Sequence, residues 1–137
     1  MAEARASRWI AEWIDAPADA VYAYVSDPAH LPDWAPGLGS AVEREGDDWF
    51  VETPMGRVGF RFAPPNDLGV LDHWVTLPSG EVVYNPMRVV ADGDACEVVF
   101  TVRRQGGMTD DDLERDAAAV AADLAALKRL LESPAAP

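Results

Sequence analysis

One amphipathic segment near the end of the sequence constrains the fold more than any other feature. Leu113, Ala117, Val120, Leu124, Leu127 and Leu131 recur at alternating four- and three-residue steps, the spacing that aligns side chains along one face of an α-helix. Thr109 suits an N-cap. Asp110, Asp111 and Asp112 stand where the helix dipole is positive, and Lys128 and Arg129 where it is negative. The pattern predicts one helix over residues 109–132, with an apolar stripe about 28 Å long. Such a stripe must pack on something equally extended, so the rest of the chain has to supply a broad apolar face.

The middle of the chain supplies it as strands. Between Ser40 and Arg104, β-type runs are separated by Glu45-Gly46-Asp47, Pro54-Met55-Gly56, Pro64-Pro65-Asn66-Asp67, Pro78-Ser79-Gly80 and Asp92-Gly93-Asp94. Six strands fit, over residues 40–45, 48–53, 57–63, 68–77, 81–91 and 95–104. Connections this short favour antiparallel hairpins, because parallel pairing needs long crossovers. Ahead of the meander, Ala4 to Asp15 reads as a first strand carrying Trp9, Ile10, Trp13 and Ile14. Pro17 and Asp19 open a short helix with Val21, Tyr24 and Val25 on one face, Asp27-Pro28 stops it, and Pro28 to Gly39 has room for one more helical turn.

The expected fold is α+β: a curved antiparallel sheet of seven strands around the long C-terminal helix, with two short helices after the first strand, in a single domain spanning residues 1–137. A curled sheet and one helix rarely fill the space between them. A cavity is therefore expected between the concave face, the helix and the irregular segment around Trp34.

Composition then removes function classes. A net charge of −13 repels phosphate backbones and anionic membrane surfaces, so neither nucleic acid nor a bilayer is an expected partner. No run of about 18 apolar residues is present to span a membrane. Met1 to Arg8 lacks the apolar core of a secretory signal, which predicts a cytoplasmic protein. Cys96 is the lone cysteine and reads as a small buried apolar residue. His30 and His73 share no ligand spacing, and the acidic runs Asp47-Asp48 and Asp110 to Asp112 read as a turn and a helix start; no metal and no cofactor is expected.

Two sets of residues carry a family resemblance. Trp13-Ile-Asp-Ala-Pro-Ala-Asp-Ala-Val-Tyr22 and Asp33-Trp34-Ala-Pro36 resemble the strand-to-helix junction and the following tryptophan of the SRPBCC superfamily, the START-like or helix-grip proteins. Asn66-Asp-Leu-Gly-Val-Leu-Asp-His73, Pro86-Met-Arg88, Val99-Phe-Thr101 and Gly107-Met-Thr-Asp110 are similar to a bacterial polyketide-cyclase-like subgroup. The resemblance covers nearly the whole chain. It implies the helix-grip fold and a pocket, and it transfers no catalytic residue, because function resides in a site and not in a fold.

Site residues come from strand alternation. Leu71, His73 and Val75 share one mostly apolar face, expected to be concave, while Asp72, Trp74 and Thr76 share the other. His73 is then the titratable group aimed at the cavity, suited to general acid or base work. Pro86 cannot donate to the ladder, and a break there would turn Tyr84, Asn85 and Arg88 inward. Tyr84 could then donate to a ligand carbonyl, and Arg88 could hold a carboxylate, phenolate or enolate. His73, Tyr84 and Arg88 form the candidate catalytic set. Plainer roles outweigh these: a hydrogen-bonded structural imidazole for His73, and cross-strand pairing with Asp72 or Glu97 for Arg88.

Trp34, Phe60, Phe62, Leu71, Met87 and Phe100 are the candidate ligand-binding residues, drawn from a larger aromatic and methionine set that includes Met55 and is mostly core. Trp34, in a Pro-flanked irregular segment, suits a lid. The leading expectation is a binding or carrier protein for a small hydrophobic or aromatic metabolite. A polyketide-cyclase-like or aromatase-like enzyme using His73 with Tyr84 or Arg88 is the alternative. A homodimeric interaction module built on an exposed Trp74 is the third.

Overall fold

The computed structural model describes residues 4–35, 41–54 and 56–132. Strand β1 (Ser7–Ile14) leads into helix α1 (Ala18–Val25), a 3-10 turn at Pro28–His30 and the four-residue helix α2 (Leu31–Trp34). Strands β2 (Val42–Glu45), β3 (Asp48–Thr53), β4 (Gly56–Phe62), β5 (His73–Thr76), β6 (Val82–Asn85), β7 (Met87–Asp92) and β8 (Ala95–Arg103) follow, then helix α3 (Asp110–Glu132). This is the expected α+β architecture of antiparallel strands and a long C-terminal helix. Ser40, Pro36 and Met55, which figured in the sequence reading, lie outside the described residues.

Two strands differ from expectation, so the described sheet has eight strands in two parts instead of seven in one. The run 81–91 is split at Pro86, whose nitrogen carries no hydrogen for the ladder. The run 68–77 is regular only over His73–Thr76. Ahead of it, the Asn66 side chain accepts from the Leu68 and Val70 N–H groups and donates to the Pro64 and Val70 carbonyls, closing residues 64–70 into a loop.

The sheets run β1-β8-β7 and β2-β3-β4-β5-β6, all pairs antiparallel. A seam joins them into one rolled layer. Leu71 N–H donates to Met87 O at 2.9 Å, Val89 N–H to Gly69 O at 2.9 Å and Thr101 N–H to Pro86 O at 3.0 Å. Gly69 is required there, since its φ is +75° and a Cβ would stand 2.2 Å from the Val89 carbonyl oxygen.

Helix α3 lies against β1 and β8 and also meets α2. Its start is a reciprocal cap: Asp112 N–H donates to Thr109 Oγ1 at 3.1 Å and Thr109 N–H to Asp112 Oδ2 at 2.9 Å. Its far end is tied to the end of β1, where Lys128 Nζ donates to Trp13 O at 2.6 Å and Asp15 N–H to Glu132 Oε2 at 2.7 Å. Leu113, Leu124 and Leu127 are completely buried in one core cluster with Ile14, Cys96 and Val98.

Candidate functional site

Away from β1 the layer and the helix separate, and a cavity of about 530 Å³ lies between them. Its sheet wall is Val58 and Phe60 of β4, His73 and Val75 of β5, Val83 and Asn85 of β6, and Phe100 and Val102 of β8. Asp116, Ala119, Val120, Asp123 and Leu124 form the helix wall, and Leu31, Trp34 and Ala35 form the side closed by α2. A groove of about 560 Å³ on the outer face of the five-stranded sheet is a different kind of surface. Its Arg57 is already paired with Glu45 and stacked on Phe50.

His73 stands where the strand alternation puts it. Its ring stacks on Phe60 at 5.0 Å and meets the edges of Phe62 and Phe100 at 5.5 and 5.4 Å. Nδ1–H donates to Leu71 O at 3.0 Å, which leaves Nε2 as the lone-pair nitrogen. Burial pushes the imidazole pKa down to about 4, against the Leu71 carbonyl and the Asp72 charge, which pull it up. At neutral pH His73 is therefore an uncharged acceptor and a weak base.

Tyr84 and Arg88 sit elsewhere, which corrects the expectation that the break at Pro86 turns them inward. Trp74 pairs with Tyr84, so Tyr84 shares the outer face with Trp74 and Asp72. Tyr84 Oη donates to Asp72 Oδ2 at 2.6 Å, Met87 N–H donates to Asp72 Oδ1 at 3.0 Å, and the Arg88 guanidinium pairs with the same Oδ1. Burial alone would lift the Asp72 carboxyl, but these donors outweigh it and hold the pKa below the usual range. The hydrogen bond to Asp72, with burial, pushes the Tyr84 phenol up, which makes it a poor acid. The plain pairing of Arg88 with Asp72 is the one observed. Of the three polar residues beside Pro86, Asn85 faces the cavity.

Among the candidate ligand-binding residues, Trp34, Phe60 and Phe100 line the cavity. Trp34 is a buried wall rather than a loose lid, 3% exposed, and its Nε1 has no hydrogen-bond partner. Leu71 and Met87 are completely buried core beside the seam, and Phe62 lies past His73 in a smaller hollow near Tyr22. Trp74 is half-buried, stacked on Tyr84 at 5.3 Å.

Sequence reasoning missed Asp116 and Asp123. Both lie on α3 with Ala119 between them, one position behind Ala117, Val120 and Leu124 of the apolar stripe. That offset was the available signal, since residues flanking a stripe look sideways into any gap beside it. The Asp123 carboxylate has no hydrogen bond or ion pair among the described residues, and burial raises its pKa to about 6. Burial, then the nearby Asp112 charge, raises Asp116 as well. Among the described residues no cluster of His, Cys, Asp and Glu could hold a metal ion, and no helix is long and apolar enough to cross a membrane.

A concavity between a rolled antiparallel layer and a gripping helix agrees with the family comparison, in which a sequence model of the polyketide cyclase / dehydrase and lipid transport family matches residues 11–132. The chain belongs to that family. Its described roles are ligand handling and cyclase-type chemistry in general terms. Solved structures of this helix-grip fold superpose over nearly the full length. An uncharacterised protein from Bacillus thuringiensis has a TM-score of 0.73 at 15% identity, covering 92% of this chain and 98% of its own. Truncated norcoclaurine synthase from Thalictrum flavum has 0.65 at 17%, covering 98% and 99%. The Aha1 dimer from Colwellia psychrerythraea has 0.70 at 15%, covering 93% and 97%. At these identities the likeness is one of fold. Comparison with curated protein sequences gives no match.

Proposed function

We propose that this family member binds a small, largely apolar metabolite in the cavity between α3 and the five-stranded sheet, as a carrier. One observation carries the reading: a space of about 530 Å³ walled by Leu31, Trp34, Phe60, Val75, Val120 and Phe100. A concavity of this size with mostly apolar walls and a few polar groups is the kind of place where small molecules bind. The test is titration with the neutral apolar fluorophore N-phenyl-1-naphthylamine. Saturable binding that is lost in Val120→Phe supports the reading, and no binding to the native chain contradicts it.

A second reading is proton transfer on the bound molecule. A carboxyl pKa of about 6 puts Asp123 close to the optimum for a general base at neutral pH. His73 would then accept a hydrogen bond through Nε2. Tyr84 and Arg88 lose their assigned roles here, because Asp72 already satisfies them. If Asp123→Asn left turnover of a candidate substrate unchanged, this version would fail.

Self-association rests on different residues from the expected Trp74. Trp9 and Trp13, on the outer face of edge strand β1, are 78% and 46% exposed. Sedimentation that found only monomer would remove the homodimer reading.

A further inference from the structure

The polar atoms of the cavity wall say which end of a ligand they can hold. We infer that the ligand is a neutral or cationic compound bearing an N–H or O–H donor, above all an apolar amine, and not a carboxylate. This rests on the cavity-binding reading above and narrows it to a chemical class.

The wall is rich in acceptors. Asp123, half-buried, and Asp116, exposed, present carboxylates from the helix, and neither makes a hydrogen bond among the described residues. From the sheet, His73 is 4% exposed and has committed its one N–H to Leu71, so only the Nε2 lone pair remains. Asn85 donates through Nδ2 to Val83 O at 3.3 Å, which leaves its Oδ1 as an acceptor. Against these four acceptors stand two donor hydrogens without a partner among the described residues, Trp34 Nε1–H and the second Nδ2–H of Asn85. The Thr53 hydroxyl already donates to Gly56 O at 2.7 Å.

The lining itself holds no Lys or Arg, and the one cation that acts on these carboxylates is Arg115, outside the lining, whose charge pulls Asp116 down without reversing its rise. Arg88 is on the outer face with Asp72, and Lys128, five residues beyond Asp123, is turned to Trp13 O and Glu132. On α2, Asp33 accepts from Tyr24 Oη at 3.1 Å. The titratable groups that share the lining with Asp123 are thus the neutral His73 on the sheet wall and the acidic Asp116 two turns earlier on α3. An anionic head group placed there would meet like charge, whereas an ammonium would meet the Asp123 carboxylate as an opposite charge.

The discriminating experiment titrates three ligands of matched shape, 2-naphthylmethylamine, 2-naphthylmethanol and 2-naphthoic acid, at pH 7.5 by calorimetry. The expected order is amine, then alcohol, then acid. Asp123→Asn is expected to weaken the amine about tenfold, the scale of a charge-assisted hydrogen bond, and to leave the alcohol within about twofold. On the native chain, amine affinity should fall as pH drops from 7 to 5 while the alcohol stays level. This pH series, with Asp116→Asn, decides the matter even if the Asp123 variant fails to fold. Equal affinities for all three ligands, tightest binding of the acid, or an amine preference untouched by the variants and by pH would each overturn the inference while leaving cavity binding intact. Failure of all three ligands and of N-phenyl-1-naphthylamine would instead remove the reading on which it rests.

Discussion

The two halves of the rolled layer carry similar apolar side chains, yet only one half is filled. Beneath β1 and β8, Ile14, Cys96 and Val98 are completely buried against the α3 leucines. Across β4, β5 and β6, Val58, Phe60, Val75 and Val83 border the cavity, which reaches the far end of β8 at Phe100 and Val102. What differs is the cover. Helix α3 is fastened to the end of β1 through Lys128 and Glu132, and it shows the opposite half only Ala119, Val120 and two aspartates beside Leu124. The cavity is therefore written in the side chains that flank the helix stripe, and the sheet alone does not reveal it.

Substitutions can break or sharpen this contrast. The largest effect is expected on the filled side, where Leu127→Ala should destabilise by about 3 kcal/mol in urea unfolding, because it removes transfer energy and leaves a new void. Val75→Ala, whose side chain already borders a void, should cost less than about 1 kcal/mol. Equal losses would remove the distinction between the halves. Next comes the seam. Asp72→Asn exchanges a carboxylate that receives three donors for an amide and should cost about 2 kcal/mol, with little effect on probe binding, since Asp72 lies outside the lining.

Acid titration gives a smaller and more specific signature. The pKa of Asp123 is raised in the folded state, so it contributes stability that is present below about 4 and lost as pH rises through about 6. The pKa of His73 is depressed, so its contribution is present above 6.5 and lost as pH falls through about 4. The two oppose each other over the same window. Asp123→Asn should make unfolding free energy rise more steeply from pH 4 to 6.5, and His73→Gln should make it fall; identical profiles for both variants would contradict the assignment. The smallest effect is expected from Val120→Phe, which should change stability by less than about 1 kcal/mol while abolishing probe binding, because the ring enters space that is already open.

Much of the fold was legible in the sequence because local patterns agree with the global one. The stripe from Leu113 to Leu131 and the Thr109 cap specify α3, and Gly46 and Gly93, both at positive φ, mark hairpins where turn signals stood. His73 was legible as a cavity residue because strand alternation is local. Tyr84 and Arg88 were not, since their facing depends on the Trp74–Tyr84 register and on Asp72, which no local pattern fixes. Residues 68–70 read as strand because the Asn66 side-chain bonds that fold them into a loop have no periodic signature. Asp123 escaped because its environment is set by what the helix does not touch.

The central claim, an open cavity on the side of α3 away from β1, is tested most directly by methyl NMR during titration with naphthalene. Shifts are expected at Val58, Val75, Val83 and Val120, with Ile14 and Val98 unmoved. Shifts spread evenly over both groups, or confined to the filled half, would contradict it.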